Sequence, residues 1–152
     1  MWKRKISTDK LGAENVINEI REFLSACPYL EGRLININYL GSGTGAVSLE
    51  NISSNRFIKE YTDGERLCGA RFCLAVRQTS SQSLSSNRVA AEILESVSVW
   101  LDEQNRQENL PKLGETGMSV EIVLLKSPAM KSVSDMAARH ELMFEVHYIQ
   151  EK

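Results

Sequence analysis

Between Arg66 and Arg77 every second residue is apolar: Cys68, Ala70, Phe72, Leu74 and Val76. Successive side chains of a strand point to opposite faces, so this run lines one side of a sheet with five apolar groups. The residues between them, among them Gly69, Arg71, Cys73 and Ala75, give the other face a mixed character. One uniform face has to lie against a core, and that requirement organises the rest of the chain.

Upstream, Phe57 to Tyr61 is strand-like, and Thr62-Asp63-Gly64-Glu65 separates it from this run. Asp-Gly between two such segments predicts a hairpin whose two central residues both take positive φ. Ala46 to Ile52 alternates and predicts another strand, with Ser53-Ser54-Asn55 as its exit. Leu34 to Leu40 is short and β-branched, and Gly41-Ser42-Gly43-Thr44-Gly45 breaks it. Met118 to Lys126 predicts a strand with Val120, Ile122 and Leu124 on one face and Glu121, Val123 and Leu125 on the other, interrupted by Pro128. His140 to Gln150 closes the chain with Leu142, Phe144, Val146 and Tyr148 inward, and Glu145 and His147 outward.

Two segments change period. Val16, Ile20, Phe23, Leu24 and Cys27, with Ile17 beside them, form one stripe on a helix over about residues 13–26, which Pro28 stops. Val89, Ile93, Val97, Trp100 and Leu101 do the same over about residues 87–107, after the polar run Thr79 to Ser83. Helices are segregated rather than alternating with strands. The expected class is therefore α+β: a mixed, mostly antiparallel β-sheet flanked by two main helices. No repeat or shift in composition divides the 152 residues, so one domain is expected, with residues 1–10 as a flexible N-terminal arm.

Eighteen basic and twenty acidic residues leave a formal charge of −2, which gives no global attraction to nucleic acid or an anionic membrane. The basic start Met1 to Lys5 is followed by polar Ser7 to Lys10, so no secretion signal is expected, and no run is long and apolar enough to span a bilayer. The chain is expected in a cytoplasm. Cys27, Cys68 and Cys73 are odd in number, and Cys68 and Cys73 face opposite sides of one strand. They are expected reduced and buried.

Chemistry finds little purchase. The 41–45 glycine loop lacks the Gly-Lys-Ser/Thr ending of a phosphate-binding loop and leads into a strand, where phosphate capture needs a helix N-terminus. His140 and His147 lie on opposite faces of one strand, about 24 Å apart along it, too far to share a metal. The carboxylate pairs Glu19/Glu22, Glu92/Glu95 and Asp102/Glu103 sit on the polar sides of amphipathic helices. Neither catalytic residues, nor a metal, nor a cofactor are expected. Arg56, Lys59, Arg66, Arg71 and Arg77 surround one hairpin and read as solvated charge on an exposed sheet face, or as a phosphate-facing or partner-facing surface. Trp2 belongs to no stripe and reads as an arm residue that docks on a neighbour or folds back.

From about Ile35 to Tyr148 the layout resembles the minor capsid, or tail-terminator, proteins of phages and prophages of Gram-positive bacteria. The passages that carry this are Val47-Ser48-Leu49-Glu50-Asn51-Ile52 after the glycine loop, then Phe57 to Gly64 and Arg71 to Arg77. Val99-Trp100-Leu101, Leu110-Pro111-Lys112-Leu113 and Phe144 to Tyr148 follow in the same order. Ser53-Ser54 stands where such proteins usually carry a proline. The resemblance implies a virion structural subunit, not an enzyme, that assembles with copies of itself into a ring, commonly a hexamer. Such a ring caps the tail tube, ends its polymerisation and joins tail to head. Its implied partners are the tail-tube protein and a head-completion or connector protein, without membrane or sequence-specific nucleic-acid binding. Its implied place is the host bacterial cytoplasm during assembly, then the tail or neck of the virion. Candidate contact residues are Trp2 in the arm, Ser42 and Thr44 in the glycine loop, and Arg56, Phe57, Lys59, Tyr61, Asp63 and Arg66 on the hairpin. A connector or neck ring of the same tail is the alternative reading, and a small cytosolic enzyme the remote one.

Overall fold

The computed structural model describes residues 16–41, 46–79, 84–113, 117–133 and 137–150. Within them a five-stranded sheet carries two helices on one face. Helix α1 is described over residues 16–25 and is followed by a short 3-10 turn, Pro28–Leu30. Then come strands β1 (Ile35–Ile37), β2 (Val47–Glu60) and β3 (Arg66–Thr79), helix α2 (Leu84–Arg106), and strands β4 (Gly117–Val133) and β5 (Ala137–Gln150). The spatial order is β1-β2-β3-β5-β4. β1 pairs with β2 in parallel and every other pairing is antiparallel, as the sequence predicts for a mixed, mostly antiparallel sheet.

The core lies between sheet and helices. Cys68, Ala70, Phe72, Leu74 and Val76 of β3 are all buried there, beside Leu142, Phe144, Val146 and Tyr148 of β5. Phe72 stands opposite Phe144, their rings stacked at 5.7 Å. Ile17, Ile20 and Leu24 of α1 and Cys27 beyond it cover this face together with Ala90, Leu94, Val97 and Leu101 of α2. Phe23 and Trp100 join the helices at a ring separation of 5.1 Å. The buried stripe of α2 is centred one residue beyond the predicted one: Ala90 and Leu94 are inside, while Ile93 and Trp100 flank them. Among the described residues no helix is long and apolar enough to cross a membrane.

Three predicted boundaries and one predicted face are corrected. Ser53-Ser54-Asn55 does not end a strand: β2 runs from Val47 to Glu60 and takes up these residues as bulges, with register shifts between Asn51, Ser53 and Arg56. Pro128 does not end β4, because the strand lies at the sheet edge and shifts register between Lys126 and Ala129, where a missing N–H costs nothing. The predicted strand 34–40 shrinks to Ile35–Ile37, since Asn38 turns to φ 55° and its Oδ1 accepts the Asn51 N–H at 3.0 Å. A bulge between Ser119 and Glu121 separates Val120 from the face expected to hold it with Ile122, leaving it 45% exposed while Ile122 stays buried.

Candidate functional site

The hairpin joining β2 to β3 brings together six of the candidate contact residues: Arg56, Phe57, Lys59, Tyr61, Asp63 and Arg66. Trp2, Ser42 and Thr44 lie outside the described residues. The turn is tighter in its demands than the sequence suggests, for only Gly64 has positive φ (92°) and Asp63 does not. The Gly64 N–H donates to the Tyr61 carbonyl at 3.0 Å, and the Tyr61 N–H donates to the Glu65 carbonyl at 2.8 Å. This is a three-residue loop with glycine in the left-handed position before the return strand. Asp63 Oδ1 accepts the Glu65 N–H at 3.0 Å and so braces the turn with its own side chain.

Around the tip, cations lie on aromatic faces. Arg66 holds its guanidinium 5.6 Å from the Phe57 ring centre, and Lys59 its ammonium 5.2 Å from that of Tyr61. Contacts of this exposed kind contribute about 0.5–1 kcal/mol each. Arg66 also meets Glu60 at 3.4 Å. Phe57 stands opposite Cys68, on the helix side of the sheet, yet it is 55% exposed, so the helices do not cover it.

The base of the hairpin is held from the opposite face. Glu145 of β5 is 1% exposed, and its carboxylate accepts from Arg56 Nε at 3.0 Å and Nη2 at 2.6 Å. Arg71 Nε donates to it at 3.2 Å, and His147 Nε2 lies 2.7 Å away. His147 Nδ1 is 3.3 Å from Glu121 of β4, so the network reaches from β2 across to the edge strand. The hydrogen bond from Arg56 holds the Glu145 carboxyl down at about 2 against the burial that would raise it. It stays ionised through any ordinary pH, an anchor rather than a proton donor.

Gly69 makes this possible. It lies between Arg56 and His147 in the register, and a Cβ built on it would come within 2.8 Å of Glu145 Cδ. The carboxylate occupies the space that any other side chain would fill. Glu145 lies on the face expected for it, opposite the core, and is buried there. Nor are the arginines simply solvated: Arg56 and Arg71 clasp Glu145, and Arg77 Nε donates to the Gly41 carbonyl at 2.7 Å. A glycine inside a confident strand is the one signal that marks such a close approach from sequence.

A second ionic group lies further along the same face. Arg139 donates to Glu50 at 2.6 and 3.0 Å and to Glu141 at 2.7 Å, crossing β3 over the small Cys73. Burial first, and Glu141 next, push the Cys73 thiol up to about 12, and burial raises Cys27 and Cys68 as well. All three cysteines are free and buried, and none is a ready nucleophile. Among the described residues no cluster of His, Cys, Asp and Glu is placed to hold a metal. Comparison of the sequence with protein-family models returns no match, and comparison with curated proteins returns none either.

Proposed function

We propose that this chain is a subunit of a ring that caps a phage-type tail tube, ending its polymerisation and offering a face to the head. The observation that carries the reading is a hairpin end that carries exposed aromatic and cationic side chains and is held rigid at its base. Phe57 with Arg66 on the helix side of the sheet, and Lys59 with Tyr61 beyond it, give the hairpin end two aromatic and cationic pairs, and the Glu145 clasp fixes the strand beneath them. A contact surface already locked in shape loses little conformational entropy on binding, which favours assembly by mass action. The resemblance of the strand, turn and helix order to tail-terminator proteins supports the same assignment. No bond chemistry is involved: the partners are further copies of this chain, the tail-tube protein and a head-completion or connector protein. It acts in the host cytoplasm and then in the virion.

The test is electron microscopy of tubes grown from purified tube protein with and without this chain. Tubes of bounded length with rings at one end are expected in its presence, and overgrown tubes in its absence. Unchanged length distributions would oppose the reading. Binding to the connector but not to the tube would instead assign a neighbouring ring of the neck.

A further inference from the structure

β4 is the outermost strand of the sheet, and Met118, Val120 and Leu124 are exposed along it. A margin of this kind is a template for strand pairing unless the protein blunts it. Register shifts between Ser119 and Glu121 and between Leu124 and Lys126 do part of this, and leave Glu121–Leu124 as the longest regularly paired run of the strand. Within that run the Ile122 N–H does not go to β5. It donates to Asn105 Oδ1 of α2 at 2.8 Å. Backbone groups of an antiparallel strand point alternately to either side, so the outward amides of the run are those of Ile122 and Leu124. Asn105 occupies one of the two.

We infer that Asn105 is a guard on this margin: its amide oxygen takes a backbone donor that an incoming strand needs, and so keeps folded copies from joining through β4. With the Ile122 amide taken, a single outward donor remains in the run, too little to offset the ordering of a second chain. The acceptor is held in place by the way its helix ends. Glu108 takes φ 58°, its N–H donates to the Asn105 carbonyl at 3.2 Å, and the Asn109 N–H donates to the Gln104 carbonyl at 2.9 Å. This pair of bonds closes the helix in a Schellman turn and fixes the last turn, where Asn105 sits. Asn109 Nδ2 also donates to Oε1 of the buried Gln104. The chain then returns to β4, where the Ser119 hydroxyl donates to the Pro111 carbonyl, so strand and helix end are tied on both sides of the guard. An asparagine suits the place, because it supplies an acceptor without setting a carboxylate at the negative end of the helix dipole. The guard acts within each folded copy, whether or not copies meet in a ring.

The first test needs no variant. In amide hydrogen exchange of the full wild-type chain, read by NMR, Ile122 is expected to exchange at least about tenfold more slowly than Leu124, which shares the edge but not the acceptor. Equal rates would overturn the proposal. The second test removes the acceptor. Asn105→Ala in native buffer, followed by light scattering, is expected to associate beyond the size that wild type reaches, at an initial rate raised about tenfold or more and rising with concentration. Asn105→Asp keeps an oxygen at the same place and should keep the wild-type size. Adding Leu124→Lys to Asn105→Ala should abolish the association without restoring its urea midpoint. Adding Val99→Lys, the same charge on the exposed side of α2, should leave the association as it is. An Asn105→Ala protein that stays at the wild-type size, or equal rescue by either lysine, would reduce the contact to a strut between helix and strand and overturn the proposal.

Discussion

Gly69 and Glu145 are coupled because the carboxylate fills the space above the glycine and meets its cations there. In Gly69→Ala the added methyl would meet the carboxylate carbon at 2.8 Å, and Glu145 would have to leave its pocket. Separating a buried carboxylate from its cations costs about 3–5 kcal/mol, and urea unfolding should show a loss of that order. The same glycine change made on top of Glu145→Gln should cost less, which a double-mutant cycle would reveal as a coupling energy. The pH dependence follows from the sign of the Glu145 shift. Its folded value, about 2, lies below the ordinary 4.5, so its stabilisation is complete above about 4.5 and is lost as pH falls toward 2. At about 1.4 kcal/mol per pH unit the shift corresponds to at most about 3 kcal/mol, less the screening of the part-exposed Arg56. The stability difference between wild type and Glu145→Gln, measured by urea titration from pH 7 to 2.5, should shrink through that window. A difference independent of pH would show that the carboxylate is not so held.

Element by element, legibility in the sequence followed the strength of the period. β3 and the inner face of β5 could be read residue by residue, because each alternates without interruption over five and four apolar positions. β2 and β4 could not, because bulges at Ser53 to Arg56 and at Val120 reset which parity faces inward, and no single-strand pattern encodes the partner that tolerates them. Helix α2 was recognised, but its buried line was displaced by one residue, since Ala90 is small enough to be overlooked beside Ile93. The distinction has a measurable consequence. Leu94→Ala, fully buried, should lose about 2–5 kcal/mol, while Val99→Ala on the exposed side should stay within about 0.5 kcal/mol, by thermal or chemical unfolding. Of the candidate site, the hairpin was legible because Asp-Gly announces it. The clasp beneath it was not, because Glu145 lies 89 residues from Arg56 and nothing local pairs them.

At the scale of the whole molecule, one face of the sheet is given to the core and the other to ions. The ionic face ties β2, β3, β5 and β4 through Arg56, Arg71, Glu145, His147 and Glu121, so the hairpin cannot tilt without disturbing the far edge. Double substitution of Lys59 and Arg66 by alanine should cost no more than about 2 kcal/mol in unfolding, given the exposure of both, yet reduce capping of tubes counted by electron microscopy. Capping at wild-type levels would exclude the tip from the contact. The sheet order adds a further consequence. The last strand in sequence, β5, is not at a margin but sits between β3 and β4. A product broken off before residue 137 would therefore lack the middle of its sheet, and Arg56 its counter-charge. The base of the hairpin therefore takes its braced shape only in a chain made through to Gln150, and shorter products are disqualified by their own geometry from presenting it.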